Sequence, residues 1–177
     1  MHHREEHVEH FDMLDASGFL RKLFDALAIA GLDTTDLELD HLCYRVETHC
    51  RFDALRKALN NKATLLGDSI IGKRPIATYR LNEPILFEGR RIEVVELPAP
   101  KTGRPYPEGY EHAEFVVLEE LVAFTQRHPH LDWDLSALAK PVNADVRLRF
   151  DGFSVKFHRQ TLASVIEMEH AQVARKV

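Results

Sequence analysis

Three short stretches of this chain carry residues able to do chemistry. In "LDHLCYRV", Leu39 to Val46, and in "EGYEHAEFVV", Glu108 to Val117, a histidine follows a carboxylate at the head of an alternating run; in "RIEVVEL", Arg91 to Leu97, a glutamate closes an otherwise apolar face. Period two along a strand puts His41, Cys43 and Arg45 on one face of the first run, His112 and Glu114 on one face of the second, and Ile92, Val94 and Glu96 together on the third. By the same alternation Glu111 faces away from His112. Burying Glu96 at the end of an apolar face is costly unless a positive partner meets it, and a bound cation is the strongest such partner. Two imidazoles and a carboxylate bind Zn²⁺, Fe²⁺, Mn²⁺, Co²⁺ or Ni²⁺ and leave positions open for water or substrate, which is the catalytic rather than the structural type of site. Each residue alone has an ordinary reading, a satisfied core histidine or a glutamate paired with an arginine. Their joint placement is what gives His41, Glu96 and His112 weight as a metal set. Cys43 reads as a small buried hydrophobe, since no base or oxyanion partner is identifiable beside it.

Elements to position such a set can be read along the chain. Apolar residues Phe19, Leu20, Leu23, Phe24, Leu27 and Ala28 recur at helical spacing between Asp15 and Ala30, and Gly31 supplies a stop. A strand over 39–46 follows, then a short helix over Phe52 to Leu59, then strand-like runs near Thr64–Leu66, Pro75–Leu81 and Arg91–Leu97. The first of these is broken by Gly67 and Gly72. Residues 98–109, "PAPKTGRPYPEG", hold four prolines and two glycines and mark a linker. Beyond it the order recurs: a strand over His112–Leu118, a helix over Glu119–Arg127, strands near Asp145–Phe150 and Phe153–His158, and a closing helix from Thr161, which is a suitable N-cap. The chain thus reads as two related halves, each opening on a strand headed by acid-His.

Bulk properties limit the partners. With 177 residues, 45% hydrophobic and 29% charged, the chain suits one compact domain and lacks the composition of a disordered one. Net charge is −5, from 23 Lys and Arg against 28 Asp and Glu, with no basic stripe, so nucleic acid is not an expected partner. No apolar run reaches membrane-spanning length and the N-terminus has no apolar signal core, so the expectation is a cytoplasmic protein away from membranes. Cys43 and Cys50 form neither a CxxC motif nor a disulfide framework. His2, His3, His7 and His10 read as a solvated tail rather than a metal tract.

Residues "DH" at 40–41, "GKRPIATYRLNEPI" at 72–85, "VVELPAP" at 94–100, "YPEGYEH" at 106–112 and "VKFH" at 155–158 resemble the YecM group of bacterial proteins. The paired halves with their histidines and the "VVEL" glutamate are similar to the wider vicinal oxygen chelate superfamily, which includes glyoxalase I, extradiol dioxygenases and bleomycin-resistance proteins. The resemblance implies an α+β fold of two βαβββ modules forming a curved mixed-sheet cup that holds a divalent metal. It places the modules at about 37–98 and 109–177, after a helical N-terminal extension over 1–36. It also implies ligands at His41, Glu96 and His112, and it puts Lys156 in the slot where glyoxalase-like members carry a fourth ligand. A protonated lysine cannot ligate but can hold an anion; a nearby cation lowers its pKa, and once deprotonated it can receive a proton. His158 lies two residues further on the same face.

The reading is therefore a divalent-metal enzyme of the vicinal oxygen chelate type, an isomerase, lyase or oxygenase, working as monomer or homodimer on a small anionic substrate. Glu114 and Lys156 are the expected proton handlers, with Arg45, Arg74, Tyr79 and His158 at the substrate, because guanidinium groups bind carboxylate or phosphate bidentately. Arg80 is more simply a solvated residue. Two alternatives share the fold: a module that sequesters a small molecule without turnover, and a metal-free scaffold in which Glu96 pairs with Lys156 or Arg45.

Overall fold

The computed structural model describes residues 12–103 and 105–175; the four N-terminal histidines lie outside them. A 3-10 turn, Asp12–Leu14, leads into α1, Ser17–Ile29, which buries Leu20, Leu23 and Leu27 and ends before Gly31 at φ +71. The first module follows as β1 (Glu38–Arg45), α2 (His49–Leu59), β2 (Ala63–Ile71), β3 (Arg74–Phe87) and β4 (Arg90–Pro98). The second comprises β5 (Gly109–Val116), α3 (Leu121–Arg127), β6 (Asp145–Phe150) and β7 (Phe153–His158), and α4 (Leu162–Ala174) closes the chain. The proline-rich segment separates β4 from β5, as its composition requires. The counterpart of β2 in the second module is reduced to a single antiparallel bridge between Asp134 and Arg147.

All seven strands form one sheet in the order β2-β3-β4-β1-β5-β7-β6. Each module sets its first strand parallel to its last, β1 with β4 and β5 with β7, and the two first strands meet antiparallel at the centre. The expected α+β architecture of paired modules is what is found. Leu42, Tyr79, Val95, Phe115 and Phe157 face one side, where α1, α2 and α3 complete the core; Phe24 of α1 meets Phe87 and Phe115, and Phe124 of α3 meets Phe157. Burying side chains of this size contributes roughly 1.5–3 kcal/mol each. His41, Cys43, Glu96, His112, Glu114 and Lys156 face the other side.

Helix α4 crosses that second side, against β2. Gly67, expected to break this strand, sits at a register shift within it, and a Cβ there would stand 3.1 Å from Ile166 of α4. The glycine lets the helix approach the strand without ending it. Likewise β3 passes through Pro84 because its register to β4 shifts between Arg80 and Ile85, where no ladder donor is needed. Both strands are longer than the sequence pattern predicts.

Candidate metal centre

The two histidines occupy matching positions. In the β1–β5 pair Cys43 lies opposite His112 and His41 opposite Glu114, so the local two-fold exchanges the strands. Two register shifts interrupt this ladder, one skipping Asp40 and one skipping Glu111, the residues just before the histidines. A bulge adds a residue that escapes the alternation. Each carboxylate therefore turns to its own neighbour's ring: Asp40 Oδ2 is 2.7 Å from His41 Nδ1, and Glu111 Oε2 hydrogen-bonds His112 Nδ1. Glu111 does not face away, as simple period two predicts. With Nδ1–H donated to a carboxylate, each ring presents Nε2 to the space between the strands, the orientation by which a carboxylate partner prepares histidine for a metal.

Glu96 enters from β4 opposite Cys43, and Lys156 enters from β7 opposite Glu114. The two positions are thus equivalent in their modules, two residues along from the register mates of His41 and His112, which is where the resemblance places the fourth slot. One donor atom from each of His41, Glu96 and His112 lies within 4.8 Å of the others. His41 Nε2 is buried without a hydrogen-bond partner and stands 3.5 Å from Glu114 Oε1. An orphaned imidazole nitrogen beside a second imidazole and a carboxylate fits a divalent ion of the borderline, nitrogen-and-oxygen-binding kind.

Glu114 is the charge hub. Its carboxylate contacts Lys156 Nζ, lies 3.1 Å from His112 Nε2 and 3.7 Å from His158 Nδ1. Burial opposes its ionisation, but Lys156 and His41 hold it well below the usual carboxylate range. Burial alone would push the His41 imidazolium down, yet Glu114 and Asp40 reverse this and hold its pKa up at about 10. Burial would likewise depress the Lys156 ammonium, and Glu114 and Glu96 raise it instead. Lys156 Nζ is 3.1 Å from His112 Nε2, donating to the same lone pair a metal would use. Glu111, opposed by burial but stabilised by His112, Arg45 and Lys156, is lowered to about 2.

These groups line a cavity of about 430 Å³ roofed by Leu162, Val165 and Ile166 of α4. Two larger clefts, about 720 and 550 Å³, contain none of them. Arg45 and Arg74 line the cavity, as expected from sequence. Arg45 pairs with Glu111 at 3.0 Å and covers the Tyr106 ring, while Arg74 donates to Ala99 O and Tyr106 Oη. Two expected substrate residues do not reach it. Tyr79 has the opposite strand parity to Thr78, the cavity-facing residue, and is buried in the core with Arg56 at its hydroxyl. His158 is completely buried behind Glu114, donating Nδ1–H to Asn143 Oδ1 at 3.0 Å with Nε2 3.2 Å from Asp40 Oδ2. Lys156 meets Glu114 rather than Glu96, so the ion pair expected of a metal-free scaffold takes another form.

Sequence reasoning missed three participants. Asp40 and Glu111 were hidden by the bulges, although an acid preceding each histidine was a visible signal. Arg147 was readable as part of the polar face Asp145, Arg147, Arg149 of β6, and it lines the cavity beside Lys156. Asp40 has one further role. Its Oδ2 also accepts the Leu162 N–H at 2.9 Å, tying the first turn of α4 to the carboxylate that orients His41. Burial would raise that carboxyl, but contacts with His158, His41 and Leu162 N–H hold it well below the usual range.

A cup made where two modules meet, each supplying its first and last strands, is the fold expected from the resemblance to vicinal oxygen chelate proteins. Among solved structures with this fold, a methylmalonyl-CoA epimerase of Streptomyces coelicolor, in complex with 2-nitronate-propionyl-CoA, superposes with a TM-score of 0.50 at 12% identity, covering 70% of this chain and 96% of that one. Protein EC4020, a structural-genomics structure, superposes with a TM-score of 0.75 at 24% identity, covering 89% and 91%. At these identities the likeness is one of fold. More narrowly, the chain belongs to the YecM family, whose model, described as YecM protein, matches residues 8–169. Protein YecM of Escherichia coli strain K12 is 30% identical over 142 residues, 80% of this chain and 70% of that protein. An uncharacterized protein of Haemophilus influenzae is 32% identical over 104 residues, covering 58% and 54%. Among the described residues, no helix is long and apolar enough to cross a membrane.

Proposed function

We propose that this protein binds one divalent metal ion through His41, Glu96 and His112 and uses it on a small anionic substrate that chelates through two oxygens. The observation that carries the reading is the orphaned Nε2 of His41, buried and aimed at the same space as His112 Nε2 and Glu96, with both rings held from behind by carboxylates. Bound there, the metal would supply Lewis acidity toward an oxygen ligand. The chain's own groups do the rest. Arg45 and Arg74 face the substrate's negative charge, α4 keeps water from the cavity, and Lys156 Nζ and Glu114 Oε1, already sharing a hydrogen bond, move a proton between substrate and protein. Such parts suit an isomerase, lyase or oxygenase.

One observation favours a second reading, a module that binds its ligand without turnover. The Lys156 ammonium lies 3.1 Å from His112 Nε2, where its charge can stand in place of a metal ion's.

Titration with Co²⁺ separates the two. Ligation deprotonates imidazolium, so metal uptake must release protons and tighten as pH rises. His41, held up at about 10, is protonated at neutral pH in the metal-free protein. The metal reading predicts one Co²⁺ per chain, visible absorption from the bound ion, protons released to weakly buffered solution, and an affinity that climbs from pH 6 to pH 9, as proton competition requires. Absence of both absorption and proton release would leave the second reading.

A further inference from the structure

The cup does not balance its own charge. Three ion pairs form on its walls: Arg45 with Glu111, Lys140 with Asp145 at 2.7 Å, and Lys156 with Glu114. Two lining guanidinium groups remain, Arg74 and Arg147, and although Glu96 and Glu169 also line the cavity outside these pairs, among the described residues neither arginine has a carboxylate within ion-pair distance. Arg74 is anchored by neutral acceptors, Ala99 O at 3.0 Å and Tyr106 Oη at 3.3 Å, which fix the group without neutralising it. Arg147 is fixed through its backbone, which exchanges two hydrogen bonds with Asp134, and it faces Lys156 across the β6–β7 ladder. Two cations thus stand side by side there, and of the two only Lys156 has a carboxylate, Glu114, in contact among the described residues. A third unspent donor, Arg45 Nε, is buried without a partner. These unmatched cations are not the sampling of a basic protein, for the chain's net charge is −5.

The excess is also directional. Arg147 is the second-module counterpart of Thr78, since Thr78 lies opposite Glu96 and Arg147 opposite Lys156. Arg74 heads β3 in the first module. The free guanidinium groups therefore stand on opposite modules, with His41, Glu96 and His112 on the strands between them. Planar guanidinium groups take carboxylate or phosphate oxygens bidentately.

We infer that the cup selects a small anion charged at both ends, a dianion or higher such as a dicarboxylate or a phosphorylated carboxylate, with one anionic end on Arg74 and the other on Arg147. This rests on the small-anion reading of the cup above and names the class of its ligand. A monoanion satisfies one wall only. A cavity of about 430 Å³ suits a molecule of that size.

Calorimetric titration of the full chain with succinate, phosphoglycolate and acetate tests it, on protein first freed of metal by chelation and then incubated with Zn²⁺. At least one dianion should bind about tenfold or more tightly than acetate, and the tighter of the two tells carboxylate from phosphate at the second end. Arg74→Gln and Arg147→Gln should each remove that preference, while Arg91→Gln, at an exposed arginine paired with Glu93, should leave it unchanged. Should one cavity variant fail to fold, the other reads the same claim from the opposite wall. Dianions binding no better than acetate, or binding equally well to both cavity variants, overturn the inference. Arginine-dependent selection in a protein that takes up no Zn²⁺ upholds it while the metal reading falls; Zn²⁺ uptake without selection does the reverse.

Discussion

Glu114→Ala will lower the folding free energy of the metal-free protein by about 3–5 kcal/mol, as expected when one partner of a buried charge network is removed. Glu114 is 4% exposed and, among the described residues, is the one carboxylate touching Lys156, while its oxygens also face His41, His112 and His158. Without it the ammonium is left in a cavity with no carboxylate in contact to offset its desolvation, the more distant Glu96 and Glu111 remaining. Urea denaturation gives the free energy. Proton NMR gives a second readout: His41, held at about 10 largely by Glu114, should fall back toward the ordinary histidine range. A loss below about 1 kcal/mol, the scale of an exposed ion pair, would mean that the cup is wet and its network weak.

Lys156→Glu will tighten metal binding by about 100-fold or more, because it replaces a cation with an anion a few ångströms from the ligands, where each unit charge is worth several kcal/mol at intermediate dielectric. The position is the register equivalent of Glu96, so the new carboxylate enters the cup from the place that its twin occupies in the other module. It also frees His112 Nε2 of its ammonium neighbour. Lys156→Met removes the repulsion without adding a ligand and should give an intermediate gain. The metal-free Lys156→Glu protein gathers the introduced carboxylate with those of Glu96 and Glu114 in one cavity and will be less stable than the parent until metal is added. Competition against a chromophoric chelator measures both affinities. Unchanged affinity in both variants would show that the ion sits away from Lys156.

Much of this was legible from sequence because two periodicities overlapped. Alternation assigned His41, Glu96, His112 and Glu114 to one face, and the recurrence of strand-helix-strands on either side of the prolines made two distant histidines equivalent. The family resemblance placed Lys156 in the fourth slot. What failed, failed where period two fails. Bulges at Asp40 and Glu111 turned both carboxylates toward their histidines, and no single-residue pattern announces an inserted residue. Tyr79 was assigned to the substrate against its own parity; Thr78 is the cup residue on that strand. Gly67 looked like a break because its missing side chain is used by Ile166, about a hundred residues later in the chain. The roof made by α4, the burial of His158 behind Glu114 and the unmatched Arg147 all depend on long-range packing.

The central claim is a metal ion on His41, Glu96 and His112. Its most direct test is elemental analysis by mass spectrometry of protein purified without an affinity tag, for the parent chain and for His41→Ala, Glu96→Ala and His112→Ala. The expected result is close to one divalent ion per parent chain and its loss from all three variants, since each removes one ligand of a three-ligand set. A parent chain that stays metal-free after incubation with Zn²⁺, Fe²⁺, Mn²⁺, Co²⁺ and Ni²⁺ in turn would contradict it.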